Sequence, residues 1–122
     1  MSYSKNKIVG NTGELIAKTY LESLGYLILE QNWHFSRHSE VDIIAKDKST
    51  IVFVEVKTRT TTAFGHPLES ITSSKLQKIY MAGLAYLEQS KIKHSNYRID
   101  VVSIVGLNNP DIEHLKNVGF DN

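Results

Sequence analysis

An α/β fold, with a mixed sheet flanked by helices in the order αβββαβ, follows from three features of the sequence. An amphipathic helical pattern occupies residues 12–24, two apolar strand-like runs at 41–45 and 51–56 are separated by a short polar link, and a second helical pattern at 72–89 leads into a strand at 97–105. A strand reached from a hairpin through a helix is expected to run parallel to a hairpin member by a right-handed crossover, which makes the sheet mixed. The chain has 122 residues, 41% of them hydrophobic and 22% charged, the size and composition of one globular domain. Its core is expected over about 10–106, followed by a C-terminal extension over 107–122.

Asn11-Thr12-Gly13-Glu14 reads as the opening of the first helix, with Asn11 as cap and Glu14 as the capping-box carboxylate three residues later. Ile16, Ala17, Tyr20, Leu21 and Leu24 fall on one face, and Gly25 marks the end. Glu14 lies at the border of that stripe, so its carboxylate looks along the seam between the helix and whatever it covers. Tyr26 to Glu30 reads as a short strand with Trp33 and Phe35 packing nearby, and His34 to Ser39 as a polar link. Val41 to Ala45 and Ile51 to Val56 form a β-hairpin, and Arg59 to Ser70, which includes Phe64-Gly65-His66-Pro67, is a polar loop. The second helix starts near Thr72 or Ser73, with Leu76, Ile79, Tyr80, Gly83, Tyr86 and Leu87 at helical spacing. Tyr97 to Val105 is the last strong strand, and Ile112 to Leu115 offers a short edge strand.

Composition excludes several functional classes. Fourteen basic against thirteen acidic residues give a net charge of +1, so nucleic-acid binding would need a local patch rather than a global field. With no cysteine, disulfides, zinc–thiolate sites and thiol nucleophiles are ruled out together, and a metal would have to bind oxygen or imidazole. No apolar run reaches the roughly 18 residues of a membrane span, and the N-terminus lacks a signal-peptide core, which makes the cytoplasm the expected location and a membrane partner unexpected.

The chemistry concentrates in the hairpin. Alternation puts Glu55 and Lys57 on one face of their strand, and Glu40, Asp42 and Ile44 on one face of the strand before it. A loop of two or four residues centred between Lys48 and Ser49 sets Asp42 opposite Glu55 and Glu40 opposite Lys57. Directly opposed side chains have Cβ atoms roughly 4.5–5.5 Å apart, close enough for two carboxylates to share one cation and too close for uncompensated like charges. Hard Mg²⁺ or Mn²⁺ takes oxygen ligands and makes a bound water acidic enough to attack a phosphodiester. Lys57 fits as the group that orients that water or neutralises phosphate charge, and Glu14 could complete the shell. Taken singly, Glu14 is an ordinary helix cap and Glu40 a salt-bridge partner for a nearby base. Asp100, in an apolar strand, is expected to have a structural partner. His34 and His66 have no metal-ligand spacing partner.

Asp42 followed thirteen residues later by Glu55-Val56-Lys57, behind a helix that carries a glutamate, resembles the acidic-acidic-lysine pattern of the PD-(D/E)xK nuclease superfamily. Residues 10–120 resemble its YraN-like branch of predicted endonucleases, which is similar to archaeal Holliday-junction resolvases. The resemblance lies in Gly13-Glu14, Leu24-Gly25-Tyr26, Glu40-Val41-Asp42-Ile43-Ile44-Ala45, Val52 to Arg59, Lys75, Ala85-Tyr86-Leu87 and Arg98 to Val102. Ser39 departs from it, because glycine usually precedes Glu-x-Asp there. The resemblance implies a restriction-endonuclease-like fold and carries Glu14, Asp42, Glu55 and Lys57 onto catalytic and metal-binding roles.

These readings together predict a Mg²⁺- or Mn²⁺-dependent endonuclease acting on DNA, with branched or structured DNA as the substrate that the resolvase likeness implies. Lys46, Lys48, Arg59, Lys75, Lys78 and Arg98 are the expected phosphate anchors. A symmetric junction would call for a homodimer. The alternative is a non-catalytic nucleic-acid-binding or assembly module that keeps the fold.

Overall fold

The computed structural model describes residues 5–63 and 65–119, so Phe64 and the chain ends lie outside the described residues. Helix α1 (Lys5–Ser23) precedes strands β1 (Leu27–Ser36), β2 (Ser39–Asp47) and β3 (Thr50–Arg59); a 3-10 turn at Pro67–Ser70, helix α2 (Ser73–Ser90) and strands β4 (Asn96–Val105) and β5 (Asp111–Leu115) follow. The five strands lie in sequence order in one sheet. It is mixed, as expected: β3 and β4 run parallel, while the β1–β2, β2–β3 and β4–β5 pairs are antiparallel.

A helix covers each face, because the central strands are apolar on both sides. Val52 and Val54 of β3 pack with Ala17 and Leu21 of α1, while Ile51 and Phe53 pack with Leu76, Ile79, Ala82 and Tyr86 of α2. Trp33 of β1 meets Tyr86 edge-on, with ring centroids 5.5 Å apart. Glycines set the distance of both helices from the sheet. A Cβ on Gly13 would collide with the Thr58 side chain, and one on Gly83 would stand 2.6–2.8 Å from the ring of Phe53.

The capping box is overturned. Helix α1 spans Lys5–Ser23, which leaves Asn11 and Glu14 in its interior. Gly13, Ala17 and Leu21 form its buried stripe, and Gly13 serves close approach rather than capping. Leu24 was expected on that stripe and is 47% exposed. The C-terminal end is as read: Gly25 takes φ +90°, and the Gly25 and Tyr26 N–H groups donate to the Glu22 and Leu21 carbonyls at 2.9 and 3.1 Å.

Strand β1 is ten residues long, not five, and takes in 34–36 of the stretch read as a link, which shrinks to the turn before β2 opens at Ser39. As an edge strand exposed along most of its length it carries Glu30, Gln31, Asn32 and His34, so it lacks the apolar signal by which strands are recognised. The Ile112–Leu115 segment does form the opposite edge strand, β5.

Asp100 has its expected structural partners and binds four donors. Arg98 Nε, His114 Nε2 and the Asn117 N–H lie 2.9, 2.8 and 3.0 Å from its oxygens, with Arg98 Nη2 at 3.4 Å. Burial pushes the Asp100 pKa up, but the bonds from His114, Arg98 and Asn117 outweigh it and hold the group below its ordinary value. Arg98 also reaches Tyr26 and Asp47, which makes it a structural cation and not a phosphate anchor.

Gly83→Ala should lower the unfolding free energy by about 1–3 kcal/mol, because the buried Phe53 ring has no room to yield and the clash outweighs the roughly 1 kcal/mol of helix propensity gained. Chemical denaturation checks this, and a stabilised variant would show that the helix can lift away freely.

Candidate metal centre

The hairpin turn is the two-residue loop Lys48-Ser49, closed by the Asp47–Thr50 pair, with Lys48 at φ 57°. The expected register runs from this turn to the Ile43–Val54 pair and ends there. One step further, Asp42 accepts the Val56 N–H at its Oδ2, 2.8 Å away. A side-chain oxygen thus occupies a donor that a continuing ladder would give to a backbone carbonyl. Side-chain alternation also breaks at this point, since Val41 packs on the α2 side and Ile43 on the α1 side. The strands part at Asp42, and the space between them is where the carboxylates meet.

Asp42 is 9% exposed and Glu55 3%. Burial above all, then the charge of Glu55 and a hydrogen bond with it, push the Asp42 carboxyl up to about 8, against the opposing bond from the Val56 N–H. Glu55 Oε2 lies 3.3 Å from Lys57 Nζ and 3.5 Å from Lys75 Nζ. The arrangement has an acid whose ionisation is disfavoured at Asp42, beside a Glu55 side chain held by two ammonium groups, one from its own strand and one from the start of α2. Glu14, from mid-α1, borders the pair. Its carboxyl is raised by burial first, lowered by a hydrogen bond from Asn32, and raised by the charges of Glu40 and Glu55.

Lys75 is therefore at the carboxylates. Arg59 lines a cleft of about 610 Å³ between α1 and the end of β3, which Glu14, Lys57 and Thr58 also line. Lys78 is exposed on the following turn of α2. Lys46 and Lys48 are not in this group: they sit four and six residues from Asp42, toward the hairpin turn at the far end of the sheet. The Glu40–Lys57 pairing is not formed either. Glu40 instead lies 3.4 Å from His34, its partner in the β1–β2 register.

Two neighbours of the pair carry no sequence signal. Asn32 of β1 takes φ 51°, a left-handed conformation that asparagine tolerates, and its side chain bonds Glu14. Ser103, opposite Lys57 in the parallel register, has a buried hydroxyl with no hydrogen-bond partner among the described residues.

Among the described residues no three histidine or acidic side chains converge as a ready-made metal cage. Mg²⁺ does not need one, since it commonly binds through one or two carboxylates and keeps several waters. The all-oxygen pair of Asp42 and Glu55 fits such an ion, whose charge would offset the burial and the repulsion from Glu55 that disfavour the ionised Asp42.

Residues 13–104 match the uncharacterised protein family UPF0102. The chain is 45% identical over 118 residues to a UPF0102 protein of Geotalea daltonii, covering 95% of this chain and 91% of that protein. It is 46% identical to one of Persephonella marina, covering 93% and 94%, and 39% identical to one of Pseudarthrobacter chlorophenolicus, covering 91% and 85%.

The raised Asp42 pKa has a sign that can be tested. The folded value lies above the unfolded one, so in EDTA the Asp42 contribution to stability is fully present below about pH 4 and is lost as pH rises through about 8. Asp42→Asn keeps an acceptor for Val56 and removes this dependence, so at pH 8 it should melt above the wild type. Glu55→Gln should melt below it, because Lys57 and Lys75 lose their counter-charge. Melts from pH 5 to 9 decide, and parallel curves for wild type and Asp42→Asn would mean that Asp42 is not under strain.

Proposed function

This chain belongs to the uncharacterised protein family UPF0102, and from the geometry of its carboxylate pair we propose that it is a metal-dependent endonuclease of the restriction-endonuclease-like fold, hydrolysing phosphodiester bonds in DNA. The observation that carries the reading is the meeting of Asp42 and Glu55 where β2 and β3 part, with Lys57 and Lys75 both on Glu55. A purely structural ion pair needs one cation per carboxylate; here both cations lie on Glu55, and among the described residues Asp42 has no ion-pair partner.

When bound, Mg²⁺ or Mn²⁺ supplies positive charge against the phosphate and lowers the pKa of water. Asp42 and Glu55 would hold the ion, with Glu14 at the outer edge of the shell. Lys57 and Lys75, both within reach of Glu55, would be placed beside such an ion: Lys57, on the same strand, would orient the attacking water or meet the phosphate oxygen on which charge develops, and Lys75 would meet the phosphate from the α2 side. Arg59, in the adjoining cleft, is placed to anchor a flanking phosphate. Branched or structured DNA remains the proposed substrate class, and a two-fold junction would require a homodimer.

One observation favours a second reading. Lys57 and Lys75 already neutralise Glu55, so the group could be a closed ionic cluster in a non-catalytic nucleic-acid-binding module.

Labelled duplex, flap, four-way junction and single strand, incubated with Mg²⁺, Mn²⁺ or EDTA, test the proposal. At least one substrate should be cut with metal and none with EDTA, and Asp42→Asn, Glu55→Gln and Lys57→Ala should each lose on the order of 10²-fold or more in rate. Wild type should also gain about 2.7 kcal/mol of stability at a hundredfold excess of metal over its Kd, and Asp42→Asn much less. No cleavage together with no metal-dependent shift would leave the ionic cluster as the reading.

A further inference from the structure

Lys46 and Lys48, which stand away from the carboxylates, have other company. Strand β2 leaves Asp42 and ends at the Lys48-Ser49 turn, while α2 starts beside Glu55 at Lys75 and ends on Lys91, its C-cap. The turn after α2 is clasped to the hairpin turn: the Ser95 N–H donates to the Ser49 carbonyl at 2.9 Å, and the two serine hydroxyls are 2.7 Å apart. Around this clasp lies an open hollow of about 600 Å³ lined by Lys46, Lys48, Lys91 and Lys93.

Among the described residues nothing acidic lines this hollow, and Asp47, between Lys46 and Lys48 in sequence, turns to the opposite face of the sheet, where Arg98 binds it at 3.4 Å. Among the described residues none of the four ammonium groups is ion-paired. A chain of net charge +1 thus gathers four of its fourteen cationic side chains, uncompensated, in one concavity. Four like charges repel one another until an anion with several charges enters. Lys48 and Lys91 also take the left-handed backbone conformation, at φ 57° and 53°, where glycine or asparagine would sit with less strain.

We propose that this hollow is a second docking site, remote from the carboxylates, that takes the sugar–phosphate backbone of the same nucleic acid. The choice of polyanion rests on the nuclease reading; the charge complementarity does not. A concave, clasped patch suits a ridge of phosphates better than a flat lipid surface, which a protruding basic face would meet more readily. Lys75 and Lys91 are sixteen positions apart on α2, about 24 Å at the helical rise. At one base pair per 3.4 Å, a duplex must extend about seven base pairs from the cleavage point to touch both. The substrate is therefore a DNA with an extended arm, and the hollow contributes binding and no chemistry.

The four-fold variant Lys46→Gln/Lys48→Gln/Lys91→Gln/Lys93→Gln changes only partly or fully exposed side chains, and circular dichroism verifies its fold. Fluorescence anisotropy with a labelled duplex of about 20 base pairs should show a 10- to 100-fold weaker Kd, and a log–log salt slope shallower by about 2 to 4. In cleavage, KM should rise while kcat stays within about twofold. A control variant, Lys18→Gln/Lys116→Gln, should bind as wild type. The proposal is overturned if the four-fold variant binds as wild type, if the control loses as much, or if the wild type binds anionic phospholipid vesicles and no DNA. If the wild type cuts nothing yet the four-fold variant still loses affinity, the hollow stands and the nuclease reading falls.

Discussion

The hydrogen bond from the Val56 N–H to Asp42 is the contact around which the rest of the site is arranged. It ends the β2–β3 ladder one residue before the two carboxylates would lie in an ordinary cross-strand pair. Without it the strands would close, and two buried acids would be pressed together with nothing between them. With it, Asp42 is pinned at one oxygen while its carboxyl group also bonds Glu55. The parting of the strands leaves a space that can be reached from α1, through Glu14, and from α2, through Lys75. A protein selected for stability alone would have no reason to keep in its sheet an acid whose pKa is pushed up to about 8.

Both helices are held close to β3 by missing side chains. Gly13 admits Thr58, next to Lys57, and Gly83 admits Phe53, two residues before Glu55. These contacts flank the functional stretch of β3 on opposite faces, so the position of Glu55 and Lys57 depends on helix packing that one added methyl group would disturb. The far side of the sheet is secured differently. Asp100, fully buried in β4, ties together Arg98, His114 of β5 and the backbone at Asn117, while Tyr20 of α1 bonds His114 at 3.0 Å. That polar network fixes the β4–β5 edge and leaves the β2–β3 end free to carry unbalanced charge.

Charge is distributed along the sheet with a clear polarity. The end where β2 and β3 part holds three acids and two lysines, and the turn end holds four lysines and no lining acid. A net charge of +1 conceals this separation, because charges elsewhere in the chain offset the excess of lysines at the turn end.

Much of the fold was legible in the sequence. Alternation in 41–45 and 51–56, with a short polar link, sets the hairpin and its register, and helical spacing in 72–89 sets α2, because periodicity is a property of local geometry that burial imprints directly. Asp42, Glu55 and Lys57 could be brought together by counting across one turn. What local pattern could not supply was anything decided by a distant segment. The start of α1 was missed because a capping-box motif is also a passable helix interior, and only Thr58, 45 residues away in sequence, shows what Gly13 is for. Strand β1 was shortened because an edge strand keeps few apolar residues. Asn32 as a partner of Glu14, Lys75 as a partner of Glu55, and the separation of Lys46 and Lys48 from the acids are consequences of how strands part and helices cross. Sequence determined which residues could do chemistry, and tertiary structure decided which of them meet, because meeting depends on packing between segments that no local periodicity records.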